Sequence, residues 1–181
     1  MNICVYCGSS RGYDTSIHRQ AEEFARQLSG KGHRLIYGGG SIGIMGILAD
    51  TVMKNGGEVT GVIPKDLFRK EVAHQGITEL ITVDDMHQRK STMADLADAF
   101  VALPGGFGTL EELFEIITWN QIGIFRKPVV VLNLNSFFNP VIQMIEQAID
   151  AGFIKPHNGE ILNIAHTFDE CFEMCCGKEN L

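Results

Sequence analysis

Short apolar runs alternate along the chain with longer stretches in which apolar residues recur every three or four positions. The runs at 3–6, 34–37, 59–63, 79–83, 99–103 and 128–132 carry a charge only at the first position of two of them, Arg34 and Glu79. Near-continuous apolar runs of this length predict strands covered on both faces. Between them, residues 16–28, 42–54, 85–97, 110–122 and 140–151 have helical periodicity. In the first of these, Ile17, Ala21, Phe24, Ala25 and Leu28 share one face, and Gly56-Gly57 closes the second. Pro64 and Pro104 stop the strands before them. Residues 65–77 read as irregular or briefly helical, and 161–176 as a short strand followed by a last helix. Such alternation predicts an α/β, doubly wound fold with a mostly parallel sheet flanked by helices. No linker, repeat or low-complexity segment interrupts residues 1–181, so one domain is expected.

Composition narrows the function classes. Hydrophobic residues make up 45%, enough for an ordinary core and too many for a disordered chain. The net charge is 15 − 22 = −7, which argues against a nucleic-acid surface, since phosphate neutralisation needs clustered Lys and Arg. No stretch approaches the roughly 18 apolar residues of a membrane span. The start of the chain lacks a basic segment and a long apolar run, so no signal peptide is expected and the cytoplasm is the default compartment. The five cysteines, Cys4, Cys7, Cys171, Cys175 and Cys176, do not make a disulfide framework. Cys4-x-x-Cys7 with the three distal cysteines lacks zinc-knuckle spacing, so no metal is expected and buried free thiols are the better reading.

Glycine is the compositional exception: 20 of 181 residues, about 11% against a usual ~7%. The glycines cluster where strands give way to helices. Gly8 follows the first strand; Gly38, Gly39, Gly40, Gly43 and Gly46 follow the second; Gly105, Gly106 and Gly108 follow the strand at 99–103. In a doubly wound sheet these turns share the carboxyl-end rim, where ligands bind. Helix N-termini there offer free N–H groups, and glycine lets an anion approach them. Three such turns suggest a phosphate-bearing ligand, while the plainer reading is tight turns alone. Gly38-x-Gly40-x-x-Gly43 matches the letters of the dinucleotide fingerprint but follows the second strand, and no acid ends the next one.

Charged residues gather at the same rim. Thr109 with Glu112 three residues later fits a capping box, in which case Glu111 is an exposed first-turn acid. The same placement would hold a carboxylate over the ligand. Arg89 and Lys90, in Met86-His87-Gln88-Arg89-Lys90, open the helix at 85–97 and reach the rim, or else form a solvated basic face.

Met86-His87-x-Arg89-Lys90 followed by Pro104-Gly105-Gly106-x-Gly108-Thr109-x-x-Glu112 resembles the signature of the LOG (Lonely Guy) family. Ile3-Cys4-Val5-Tyr6-Cys7-Gly8-Ser9-Ser10 and Glu115-Ile116-Ile117-Thr118-Trp119 are also similar to it, and the resemblance covers roughly residues 2–165. It implies a single Rossmann-like domain with cytokinin riboside 5′-monophosphate phosphoribohydrolase activity. Such an enzyme cuts the N-glycosidic bond of N6-modified AMP, and often of AMP, giving free base and ribose 5-phosphate without a cofactor. It implies Arg89 and Glu112 as catalytic residues. The implied substrate-binding set is Gly8, Ser9, Gly39, Gly40, Glu71, Met86, Lys90, Gly105, Gly106, Phe107, Gly108, Thr109, Leu110, Glu111 and Thr118, with Glu71 and Thr118 resting on the resemblance alone. The family's older label, lysine decarboxylase, would need a pyridoxal phosphate Schiff base, and nothing marks a lysine for it. A non-catalytic nucleotide or cofactor carrier of related fold is the alternative, and a positioned carboxylate is what it would not need. The stretch 110–125 is apolar on more than one face, which together with the family resemblance points to a homodimer.

Overall fold

The computed structural model describes residues 1–67 and 73–177. Its strands are β1 (Asn2–Tyr6), β2 (Arg34–Tyr37), β3 (Val59–Pro64), β4 (Glu79–Val83), β5 (Ala99–Ala102), β6 (Val129–Leu132) and β7 (Leu162–Ala165). They form one sheet in the order β4-β3-β2-β1-β5-β6-β7, and every described pairing within it is parallel. The helices are α1 (Thr15–Gly30), α2 (Gly43–Lys54), α3 (Met86–Leu96), α4 (Phe107–Gln121), α5 (Asn139–Asp150), the single turn α6 (Pro156–Gly159) and α7 (Phe168–Cys176).

The helices cover both faces of the sheet because strand side chains alternate between them. From β1, Ile3 and Val5 join Phe24 and Leu28 of α1, Leu48 and Val52 of α2, and Phe172 of α7. Cys4 and Tyr6 face the other way, toward Met93 of α3 and Leu113 and Ile116 of α4. Stacked rings lock each layer, Phe24 on Phe172 at 5.1 Å and Tyr6 on Phe100 at 5.9 Å. Each fully buried large apolar side chain contributes about 1.5–3 kcal/mol. The thiols of Cys171 and Cys175 lie in the first layer and that of Cys4 in the second, on opposite faces of the sheet.

The chain walks from β1 through β2 and β3 to β4 at one edge. It then returns along α3 to β5, on the other side of β1, and proceeds outward to β7. The connections after β1 and β5 therefore leave in opposite directions, which opens a crevice at the carboxyl ends of these two strands.

The strand boundaries and most helix boundaries match the periodicity within two residues. The large departure is α4, which begins at Phe107 rather than 110. Gly106 and Gly108 have the sequence pattern of a loop, but the first helical turn tolerates glycine because its amides have no intrahelical partner in any case.

Candidate active site

Four helices begin around the crevice, and three have their first amides occupied. The Asp14 carboxylate accepts from the Ser16 amide at the start of α1, at 2.8 Å. Asp85 does the same for Gln88 at the start of α3, also at 2.8 Å. At α2 the carbonyl of Gly8 accepts from the amides of Ile44 and Met45, at 3.0 and 3.4 Å. Helix α4 differs. Its N-cap is Gly106, with no side-chain cap, and its first bond runs from the Leu110 amide to the Gly106 carbonyl at 3.1 Å. The amides of Phe107, Gly108 and Thr109 precede that bond and have no partner within the helix. With the helix dipole, amides placed this way could receive an anion.

Of the three expected phosphate turns, the start of α4 is the one whose first three amides precede the first helical bond. The amide of Gly8 donates to the Pro104 carbonyl at 3.1 Å. Gly43, at φ +69°, packs where a Cβ would strike the Ser9 backbone. At these two positions glycine serves the close approach of two loops, which is the plainer reading.

The expected capping box does not form either. Because α4 starts a turn early, Thr109 is its third residue, almost fully buried, and Glu112 lies in the next turn. A Cβ at Gly105 would overlap the Thr109 hydroxyl, so glycine there lets this side chain tuck under the loop. Glu112 instead lines a cleft of about 180 Å³ together with Val5, Cys7, Gly8, Ser9, Gly38, Met45, Arg89, Met93 and the start of α4, Gly106, Phe107, Gly108 and Thr109.

Arg89 is only 5% exposed, so its charge needs partners. Its Nε donates to the Val62 carbonyl at 3.1 Å and its Nη2 to the Gly38 carbonyl at 2.6 Å, while Nη1 meets the Met86 sulfur at 3.7 Å. The ends of β2 and β3 thereby hold the guanidinium in the cleft wall. The Cys7 thiol is pushed well above its ordinary range, first by burial and then by the Glu112 carboxylate, with Arg89 partly opposing. Burial and Glu112 raise the Cys4 thiol in the same way. Burial, the Cys4 thiol and Glu112 raise the Tyr6 phenol. The carboxylate's field therefore reaches the end of β1, whose thiols stay protonated.

Lys90 is not aimed into the cleft. Its ammonium bonds Glu111 at 2.7 Å and Glu115 at 2.9 Å, with 12% of the side chain exposed. Burial alone would lower its pKa, and these two carboxylates more than reverse that, so it is raised. Among the other expected site residues, Met86 braces Arg89 at the rim. Gly39 and Gly40 turn toward the segment between β3 and β4: the Gly39 carbonyl accepts from the His74 amide at 2.9 Å and Gly40 bridges to Ala73. Gly105 lines an adjoining apolar cleft that shares Gly8, Ser9 and Gly106 with the first. Leu110 packs against the core. Thr118 donates its hydroxyl to the Phe114 carbonyl at 2.7 Å, nine residues or about 14 Å along α4 from Thr109. Glu71 lies outside the described residues.

Val5, Cys7, Met45 and Met93 line the cleft without having been expected there, and Gly38 joins them from the expected glycine rim. Met93 follows Arg89 by four positions, and that spacing alone would have placed it on the same helix face.

A family model described as possible lysine decarboxylase matches residues 45–175. A cytokinin riboside 5′-monophosphate phosphoribohydrolase of Arabidopsis thaliana is 49% identical over 153 residues, covering 84% of this chain and 72% of that one. Another, from Oryza sativa subsp. japonica, is 48% identical over 168 residues, covering 93% and 69%. Among solved structures, the molybdenum cofactor carrier protein of Chlamydomonas reinhardtii is 21% identical with a TM-score of 0.70, covering 95% of this chain and 93% of that one. The molybdenum cofactor binding protein of Rippkaea orientalis is 20% identical with a TM-score of 0.69, covering 96% and 93%. At these identities the two structures show a shared Rossmann-like fold and nothing finer.

Proposed function

The chain belongs to the family described as possible lysine decarboxylase, and within it to the LOG (Lonely Guy) phosphoribohydrolases; on that premise we propose that it hydrolyses the N-glycosidic bond of nucleoside 5′-monophosphates, AMP and N6-substituted AMP, to free base and ribose 5-phosphate. The observation that carries this is the uncapped start of α4 opening into the same cleft as Arg89 and Glu112.

The 5′-phosphate rests on the amides of Phe107, Gly108 and Thr109. That places the ribose along the second turn of α4, beside Glu112. As the glycosidic bond breaks, positive charge develops on the sugar. The carboxylate stabilises it and takes a proton from the water whose oxygen attacks C1′, while the bonding pair leaves on the ring nitrogen of the base, which takes up a proton from solvent. A well-placed electrostatic group is worth about 2.7–4 kcal/mol, and general-base help adds about 10²–10⁴-fold. Arg89, fixed by carbonyls, holds the wall against which ligand and carboxylate are oriented. Phosphate binding remote from C1′ supplies positioning at the reacting carbon. Phe107, 93% exposed, stands at the mouth of the cleft.

Two supports for the alternatives are weak. No lysine lies among the described residues lining the cleft, which leaves the decarboxylase label without its Schiff-base partner. A carrier needs an anion site but no carboxylate turned onto the ligand. The apolar side chains left exposed around the ends of α4 and α5 favour a homodimer. No described helix is long and apolar enough to cross a membrane, and cytoplasmic residence fits the free thiols.

The test is release of free base from AMP and N6-isopentenyl-AMP, compared with the matching nucleosides. The monophosphates are cleaved at least about 10²-fold faster, as remote-binding catalysis demands. Equal rates on the nucleosides would sink the phosphate site, and binding of AMP without cleavage would make the protein a carrier.

A further inference from the structure

The Lys90 contacts have a consequence for the reaction just proposed, and they rest on that reading only for the identity of the base. We propose that Lys90 is a positioning residue that sets the orientation and charge of Glu112 from behind, without touching substrate. Lys90 follows Arg89 on α3, and Glu111 precedes Glu112 on α4. The one ammonium therefore joins the two helices at the positions next to the catalytic pair. Its bonds to Glu111 and Glu115 span one turn of α4, and Glu112 lies on the stretch between them.

The charge balance points the same way. Two carboxylates and one ammonium sum to −1, so this cluster adds no positive field for a phosphate. Its effect is local neutralisation. Without Lys90, Glu111, Glu112 and Glu115 would be three carboxylates within five residues of one helix, and like charges at this spacing repel. Repulsion of this kind raises the pH at which a carboxyl group gives up its proton. Among the described residues, Arg89 of α3 lines the same cleft as Glu112, and the Glu112 charge acts on Cys4 and Tyr6 of β1 and on Cys7 just past its end. Burial keeps those thiols and the phenol protonated, so they add no further negative charge, and neither a neutral nor an ionised form could replace the lost ammonium. Most of the Lys90 stem is covered as well, so the ammonium cannot swing to the cleft without leaving two carboxylates unpaired.

The experiment compares wild type, Lys90→Arg, Lys90→Met, and Lys90→Met combined with Glu111→Gln and Glu115→Gln. It reads kcat and KM for AMP against pH, inhibition by inorganic phosphate, and the titration of Glu112 by carbon-detected NMR. In Lys90→Met, kcat at pH 7 falls about tenfold, within the range for a perturbed general base. Its KM and phosphate inhibition stay within about twofold, because no substrate contact is lost. The acid limb of the profile and the Glu112 titration both move up by about half a pH unit. The triple variant moves both back and recovers most of kcat, and Lys90→Arg stays near wild type. A tenfold loss of phosphate inhibition in Lys90→Met with an unmoved limb would make Lys90 a substrate ligand and overturn the proposal. A triple variant no better than Lys90→Met would overturn it too. Should wild type release no base, the phosphoribohydrolase reading fails, while the NMR titration still decides whether Lys90 controls Glu112.

Discussion

At Gly38 it is the missing side chain that lets Arg89 reach the cleft wall. A Cβ there would overlap Nη2 of Arg89, the far end of a flexible side chain, so Gly38→Ala displaces the guanidinium and leaves the backbone intact. The expected outcome is a melting temperature within a few degrees of wild type and kcat/KM down about 10²-fold, the scale of one lost oriented group. Retained activity would show that Arg89 is not needed in that pose. Glu112→Gln isolates the other member of the pair. Since Glu112 does not cap α4, the amide should leave the fold intact. It removes both charge and basicity, lowering kcat by about 10²–10⁴-fold. Base release near the wild-type rate would end its catalytic assignment. Arg89 and Glu112 are legible in the sequence because their spacing to the glycine turn is distinctive. Cys7, Met45 and Met93 are not, because an apolar residue facing a cleft has the same sequence pattern as one facing the core. Lys90 departs from its expected place for a related reason: its partners, 21 and 25 positions away, become neighbours only when α3 and α4 pack.

At the scale of elements, α4 carries most of the proposed site. The alternation of short apolar runs with stretches of helical period locates every described strand and nearly every long helix, since burial on two faces leaves a plain signature. It misses where α4 begins, because glycine counts as a breaker whether or not its amide is being used. That start is open to a sharp test. Gly106 occupies the N-cap at φ −98°, and a Cβ there would point into open space. Asp is among the best N-cap residues, and its carboxylate accepts from the amides two and three residues on. Gly106→Asp is therefore expected to keep or slightly raise thermal stability while filling the anion site with the protein's own charge. KM for AMP should rise at least about tenfold, and inorganic phosphate should cease to inhibit, through occupied amides and like-charge repulsion. A Gly106→Asp protein with normal phosphate inhibition would move the phosphate elsewhere in the cleft.

On the scale of the whole molecule, the return of the chain from β4 to β5 is what brings Arg89 and Glu112 together. The helix before β5 carries one and the helix after it carries the other, and both pack on the same face of the sheet. That face is not finished. Helix α5 has no buried residue, though Val141 and Ile142 touch the core. Beyond it Phe153 is 88% exposed, and Ile122 and Ile124, just past the end of α4, are more than half exposed. Water-facing apolar side chains concentrated around two helix ends are what a contact between copies would cover. Sedimentation equilibrium at micromolar protein should give twice the 20.0 kDa chain mass. Ile122→Asp with Ile124→Asp should halve it, because burying two unpaired carboxylates in an apolar contact costs several kcal/mol. Neither residue lines the cleft of its own chain. If the monomer made this way still cleaves AMP normally, each cleft works alone. If it folds and binds phosphate but no longer releases base, the second copy completes the site, and Thr118, too far along α4 to serve its own cleft, becomes the residue to test in the partner's.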